Sequence, residues 1–111
     1  MILMIGHPRP SQGAPHPVLL QHGYRLACLA ELDAALLDAT QPDMVISALI
    51  GNGFDAIDVA RRLAELGYHG PYRALSHPLP RPGLVRAEIR AAAPDLDFDL
   101  VVLSHGLEEL G

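Results

Sequence analysis

Apolar residues along this chain fall into continuous short runs that alternate with runs at helical spacing. Residues 2–5 are unbroken apolar, bounded by Gly6, which suits a strand buried on both faces. Residues 24–30, 43–50, 71–76 and 98–103 read as four further strands. Between them the period changes to 3.6. Leu32, Ala35, Leu36 and Ala39 form one apolar face over 31–40. Ile57, Ala60, Leu63 and Ala64 do so over 55–66, with Arg61, Arg62 and Glu65 outward and Gly67 as the stop. Leu84, Val85, Ile89 and Ala92 do so over 83–93, and Pro94 ends that helix.

The two ends of this pattern are irregular. Pro8, Pro10, Pro15 and Pro17 lock φ and remove donors, so the first connection cannot hold a full helix. A short one is expected from Pro15 or Pro17 to a cap at Gly23. After Leu103 too few residues remain for a full last helix. Five strands alternating with helical segments imply an α/β fold, a doubly wound parallel sheet with helices on both faces. Right-handed crossovers leave few topologies, and the five-stranded order 2-1-3-4-5 is the expected one. No repeat, linker or low-complexity stretch divides the chain, so 1–111 is read as one domain.

Composition sharpens this picture without changing it. The chain has 111 residues, 50% hydrophobic and 19% charged, a globular balance rather than a disordered one. Its net charge of -5 argues against nucleic acid or an anionic membrane as the main partner. No apolar stretch approaches the ~20 residues that span a bilayer, and the apolar start lacks the basic lead of a signal peptide, so the expected compartment is the cytoplasm. Cys28 is the one cysteine, excludes an internal disulfide, and is read as a buried thiol.

The segment Met44-Val45-Ile46-Ser47-Ala48, followed by Gly51-Asn52-Gly53-Phe54-Asp55-Ala56, is a buried strand, a tight turn and a helix start. It resembles the third strand and following loop of response-regulator receiver domains, the phosphorylated modules of two-component signal transduction. Gly53 and Asp55 match the family's turn, and Ala74-Leu75-Ser76 matches the end of its fourth strand. The resemblance runs over nearly the whole chain and implies a flavodoxin-like, three-layer α/β/α fold with reduced first and last helices. In that family an acidic pair after the first strand holds magnesium, an aspartate ends the third strand, a hydroxyl ends the fourth and a lysine ends the fifth. Here Gly6 and His7 stand at the acidic pair, Ala48 at the acceptor, Ser76 at the hydroxyl, and Ser104 or His105 at the lysine. Without an acceptor or a hard metal ligand there is no nucleophile and no charge neutralisation. The resemblance therefore implies a pseudo-receiver: a phosphorylation-independent protein–protein interaction module, not an enzyme, needing no cofactor.

Two surfaces stand out as contacts. If the first and last helices are reduced, apolar side chains of the first, third and fifth strands are left open on one sheet face, Phe98 and Val101 among them, and a protein partner or a homodimer would cover them. The stiff loop 77–82, with Pro80 and Arg81, leads to Arg86 and Arg90 and is a second candidate, against a plain solvated helix face. An alternative function rests on His7, His77 and His105, each just past a strand end, where open α/β sheets bind ligands. They would form a metal site or a cluster charging below about pH 6.5, with Ser76 beside them. Asp95, Asp97 and Asp99 alternate with apolar residues and read as a solvated strand start rather than a calcium site. Gly51-Asn52-Gly53 lacks both the dinucleotide fingerprint and a phosphate-loop lysine.

Overall fold

A computed structural model of the chain describes residues 1–6, 23–51 and 53–103. Five strands, β1 (Ile2–Ile5), β2 (Tyr24–Ala27), β3 (Met44–Ala48), β4 (Pro71–Ser76) and β5 (Asp97–Val102), form one sheet. Every pair is parallel and the order is β2-β1-β3-β4-β5, as the alternation of elements implies. Three helices are described: α1 (Ala34–Thr40), α2 (Ala56–Glu65) and α3 (Pro82–Ala92). The segments expected as the reduced first helix and the short tail lie outside the described residues.

Alternation along the strands splits the sheet into two unequal faces. Register places Leu3, Val45, Tyr72 and Phe98 in one row and Ile5, Ser47, Ala74 and Leu100 in the next, all of them buried. Leu36 of α1, Val59, Ala60 and Leu63 of α2, and Ile89 of α3 close over these rows in a single apolar cluster. The other face carries Met4, Met44, Ile46, Ala48, Leu75 and Val101, all half-buried, so it is not as open as the sequence implied.

Two of the three described helices start on side-chain caps, and α3 starts on Pro82 at its first position without one. The Asp55 carboxylate accepts from the Asp58 N–H at 3.0 Å and the Asp58 carboxylate accepts from the Asp55 N–H at 3.1 Å, a reciprocal cap on α2. Asp33 caps α1 through the Leu36 N–H at 2.8 Å. That cap delays the helix, expected from residue 31, and β2 ends at Ala27 rather than at residue 30: residues 29–31 form a separate 3-10 turn, with Glu31 accepting from the Cys28 N–H. Cys28 itself is half-buried rather than buried. Leu84, expected inside, is 57% exposed, because α3 turns Ile89 and the Ala93 that follows it to the core.

Two phenols sit in this frame. Tyr72 is fully buried, its ring 5.4 Å from that of Phe98, and its hydroxyl meets Ser47 Oγ at 2.5 Å. Burial pushes its pKa up, with the Ser47 hydrogen bond opposing. Tyr68 donates to the Pro71 carbonyl at 3.0 Å, and burial, helped by the Asp43 carboxylate, pushes its phenol up to about 12. Both rings fold in the neutral form. The stability they confer is complete below the ordinary phenol value of 10.0 and is lost as pH rises through the folded values. Thermal unfolding followed from pH 9 to 12 should therefore show a melting temperature that falls steeply above pH 10, and a flat profile would contradict this burial.

Candidate functional site

Parallel strands bring Gly6, Ala48 and Ser76 to the same edge of the sheet, the edge where open α/β sheets bind ligands. Gly6 follows β1 and donates its N–H to the Ala27 carbonyl at 2.8 Å. Ala48 ends β3 opposite Leu75, and the next residue, Leu49, donates to the Leu75 carbonyl at 2.8 Å. Ser76 ends β4, buried, on the face shared with Ala74. In the strand alternation Ala48 belongs with Leu75 on the opposite face. The Ser76 hydroxyl donates to the His77 carbonyl at 2.7 Å, so its proton is already committed within the chain.

The loop above Ala48 is held shut on itself. The Gly51 N–H donates to the Phe54 carbonyl at 2.9 Å and the Ala56 N–H to the Leu49 carbonyl at 2.9 Å. A Cβ at position 51 would lie 2.2 Å from the Phe54 ring, so a side chain there would require that ring to move. Gly53 supplies the positive φ of 87° that the turn needs. Ile50 is left 78% exposed beside it.

At the end of β5, Val102 is the residue in register with Ser76, and the Leu103 N–H donates to the Ser76 carbonyl at 2.8 Å. Ser104 and His105, like His7, lie outside the described residues, and His77 is exposed. Of the three histidines proposed for a metal or pH site, one is therefore placed. The described ends of β1, β3 and β4 carry a hydrogen, a methyl and a hydroxyl engaged with the His77 carbonyl, with no carboxylate among these three.

The interface residues separate more sharply. Pro80 and Arg81 are exposed and Val101 is half-buried on the less covered face. Phe98 is 2% exposed and belongs to the opposite, helix-covered face, which removes it from any open surface. Arg86 and Arg90 are not free cations. Arg86 Nε donates to Asp99 Oδ1 at 2.7 Å, and Arg90 donates through Nε and Nη2 to the Phe98 carbonyl at 3.2 and 3.1 Å. The hydrogen bond from Arg86 holds the Asp99 carboxyl below its ordinary value. Asp97 pairs with Arg73 at 3.5 Å, so neither of these acids is merely solvated. Sequence reasoning missed this clamp, because helical spacing shows where an arginine lies but not which strand edge it meets.

No helix among the described residues is long and apolar enough to cross a membrane. Set against protein-family models, curated proteins and solved structures, the chain finds no match.

Proposed function

We propose that this chain is a pseudo-receiver: a cytoplasmic, non-enzymatic signalling module that binds a protein partner or a second copy through fixed surfaces. The observation that carries this reading is the edge formed by Gly6, Ala48 and Ser76 in a parallel 2-1-3-4-5 sheet. Ala48 and Ser76 end neighbouring strands, the Ala48 side chain is a methyl, and the Ser76 hydroxyl is turned onto the His77 carbonyl, which supports the reading. Phosphoryl transfer needs a nucleophile and a cation to neutralise the equatorial oxygens. The contact surfaces in this reading are the less covered face, with Met4, Ile46, Leu75 and Val101, and, separately, the exposed Pro80–Arg81 corner that leads into α3.

Acetyl phosphate and beryllofluoride should leave the mass and the amide spectrum of the native protein unchanged. Ala48→Asp restores the acceptor carboxylate but not the acidic pair at positions 6 and 7. It should remain unlabelled by acetyl phosphate in magnesium, within error of the native background. Stable labelling of either protein would overturn the reading. Capture from the native cell extract with Ile46→Arg as the control supplies the partner. A partner retained equally by both proteins would exclude the sheet face as its site.

A further inference from the structure

Strand β5 ends the sheet, so half of its backbone groups point away from β4. The Leu103 N–H reaches the Ser76 carbonyl, which sets the odd-numbered residues of this strand toward β4 and the even-numbered ones outward. All four outward groups of Phe98 and Leu100 are nevertheless occupied. The Phe98 N–H donates to the Leu96 carbonyl at 2.9 Å and the Phe98 carbonyl accepts from Arg90. The Leu100 N–H donates to Asp99 Oδ1 at 2.7 Å, and the Leu100 carbonyl accepts from Arg86 Nη2 at a longer 3.4 Å. The same Asp99 oxygen receives Arg86 Nε, so one carboxylate holds both the backbone donor and the cation that covers the edge.

We propose that Arg86, Arg90 and Asp99 form an edge guard that stops β5 from pairing with the β5 of a second copy of this chain. The strand needs such a guard. Apart from Asp99, Phe98-Asp99-Leu100-Val101-Val102-Leu103 is apolar, with two β-branched residues and no proline, and it lies at an edge of the sheet among the described residues, the combination that favours strand addition. A two-fold antiparallel pairing centred on Leu100 sets Phe98 against Val102 of the second copy and Asp99 against Val101 of the second copy. No acid faces an acid in that register, so repulsion does not prevent it. The outward-pointing Val102, 40% exposed, is where such a pairing would enter.

The test is the double variant Arg86→Met, Arg90→Met, which keeps the aliphatic stems while removing the donors. Sedimentation velocity at rising concentration should give a larger mean mass than the native chain at every concentration, with unchanged far-ultraviolet dichroism. Adding Val102→Pro removes an outward N–H that the β4 ladder does not use and should return the mass to the native value. A folded double variant that sediments as the native chain does would overturn the guard. Association that survives Val102→Pro would overturn its placement on β5. If the double variant does not fold, Arg90→Met alone, altered at an exposed side chain, carries the same expectation in weaker form, and sedimentation identical to the native chain would then overturn the guard.

Discussion

Phe98→Ala should destabilise the protein by about 3–5 kcal/mol, the range for truncating a fully buried phenylalanine. The ring is 2% exposed, leans on Tyr72 at 5.4 Å, and joins the cluster that α1, α2 and α3 close. Domains of this size hold roughly 5–15 kcal/mol in all, so this one change removes a large share of the total. Urea unfolding monitored by dichroism would read it as a midpoint shift at nearly constant slope. The same experiment separates core from interface. Were Phe98 a contact residue on an open face, alanine would weaken association and leave the midpoint where it was.

The second large effect concerns the hydroxyl pair beneath α2. Ser47 and Tyr72 are both fully buried, and Ser47 Oγ also donates to the Ala48 carbonyl at 2.9 Å. Since Ser47's proton goes to that carbonyl, the Tyr72 hydroxyl donates to Ser47. Ser47→Ala then leaves the phenol proton without an acceptor and should cost about 1–3 kcal/mol. Tyr72→Phe removes the donor and leaves the Ser47 donation intact, so it should cost less. The double variant should cost less than the sum of the two, because the orphaned phenol is gone. Additive losses in a urea double-mutant cycle would mean that the two hydroxyls do not depend on each other.

The sequence carried the sheet well and the helix faces poorly, for a physical reason. Strand β4 begins at Pro71, which opens a strand without giving up a needed donor, and it ends at Ser76; both bounds were legible. Helix α2 holds two overlapping apolar stripes. The expected one included Ile57 and Ala64, whereas the buried one is Ala56, Val59, Ala60 and Leu63. Both satisfy helical spacing, and only the position of the sheet selects between them. In α1 the missed signal was Asp33, whose capping carboxylate outweighs the apolar spacing that placed the helix start before it. At the candidate site, the strand-end positions of Gly6, Ala48 and Ser76 were legible because the element order fixes them. The turn of the Ser76 hydroxyl onto His77, and the approach of Leu103, depend on register that no local pattern encodes.

The fastening of α3 to β5 also bears on motion. Arg86 and Arg90 lie one helical turn apart and grip the strand at two successive outward positions. A helix held in this way cannot roll or slide along its strand unless both grips let go together. Helix and strand therefore fluctuate as a single body, and amide exchange along residues 82–102 should rise and fall in concert. Were a partner to bind the Pro80–Arg81 corner, it would meet the first turn of a helix that is fastened to its strand one turn further on.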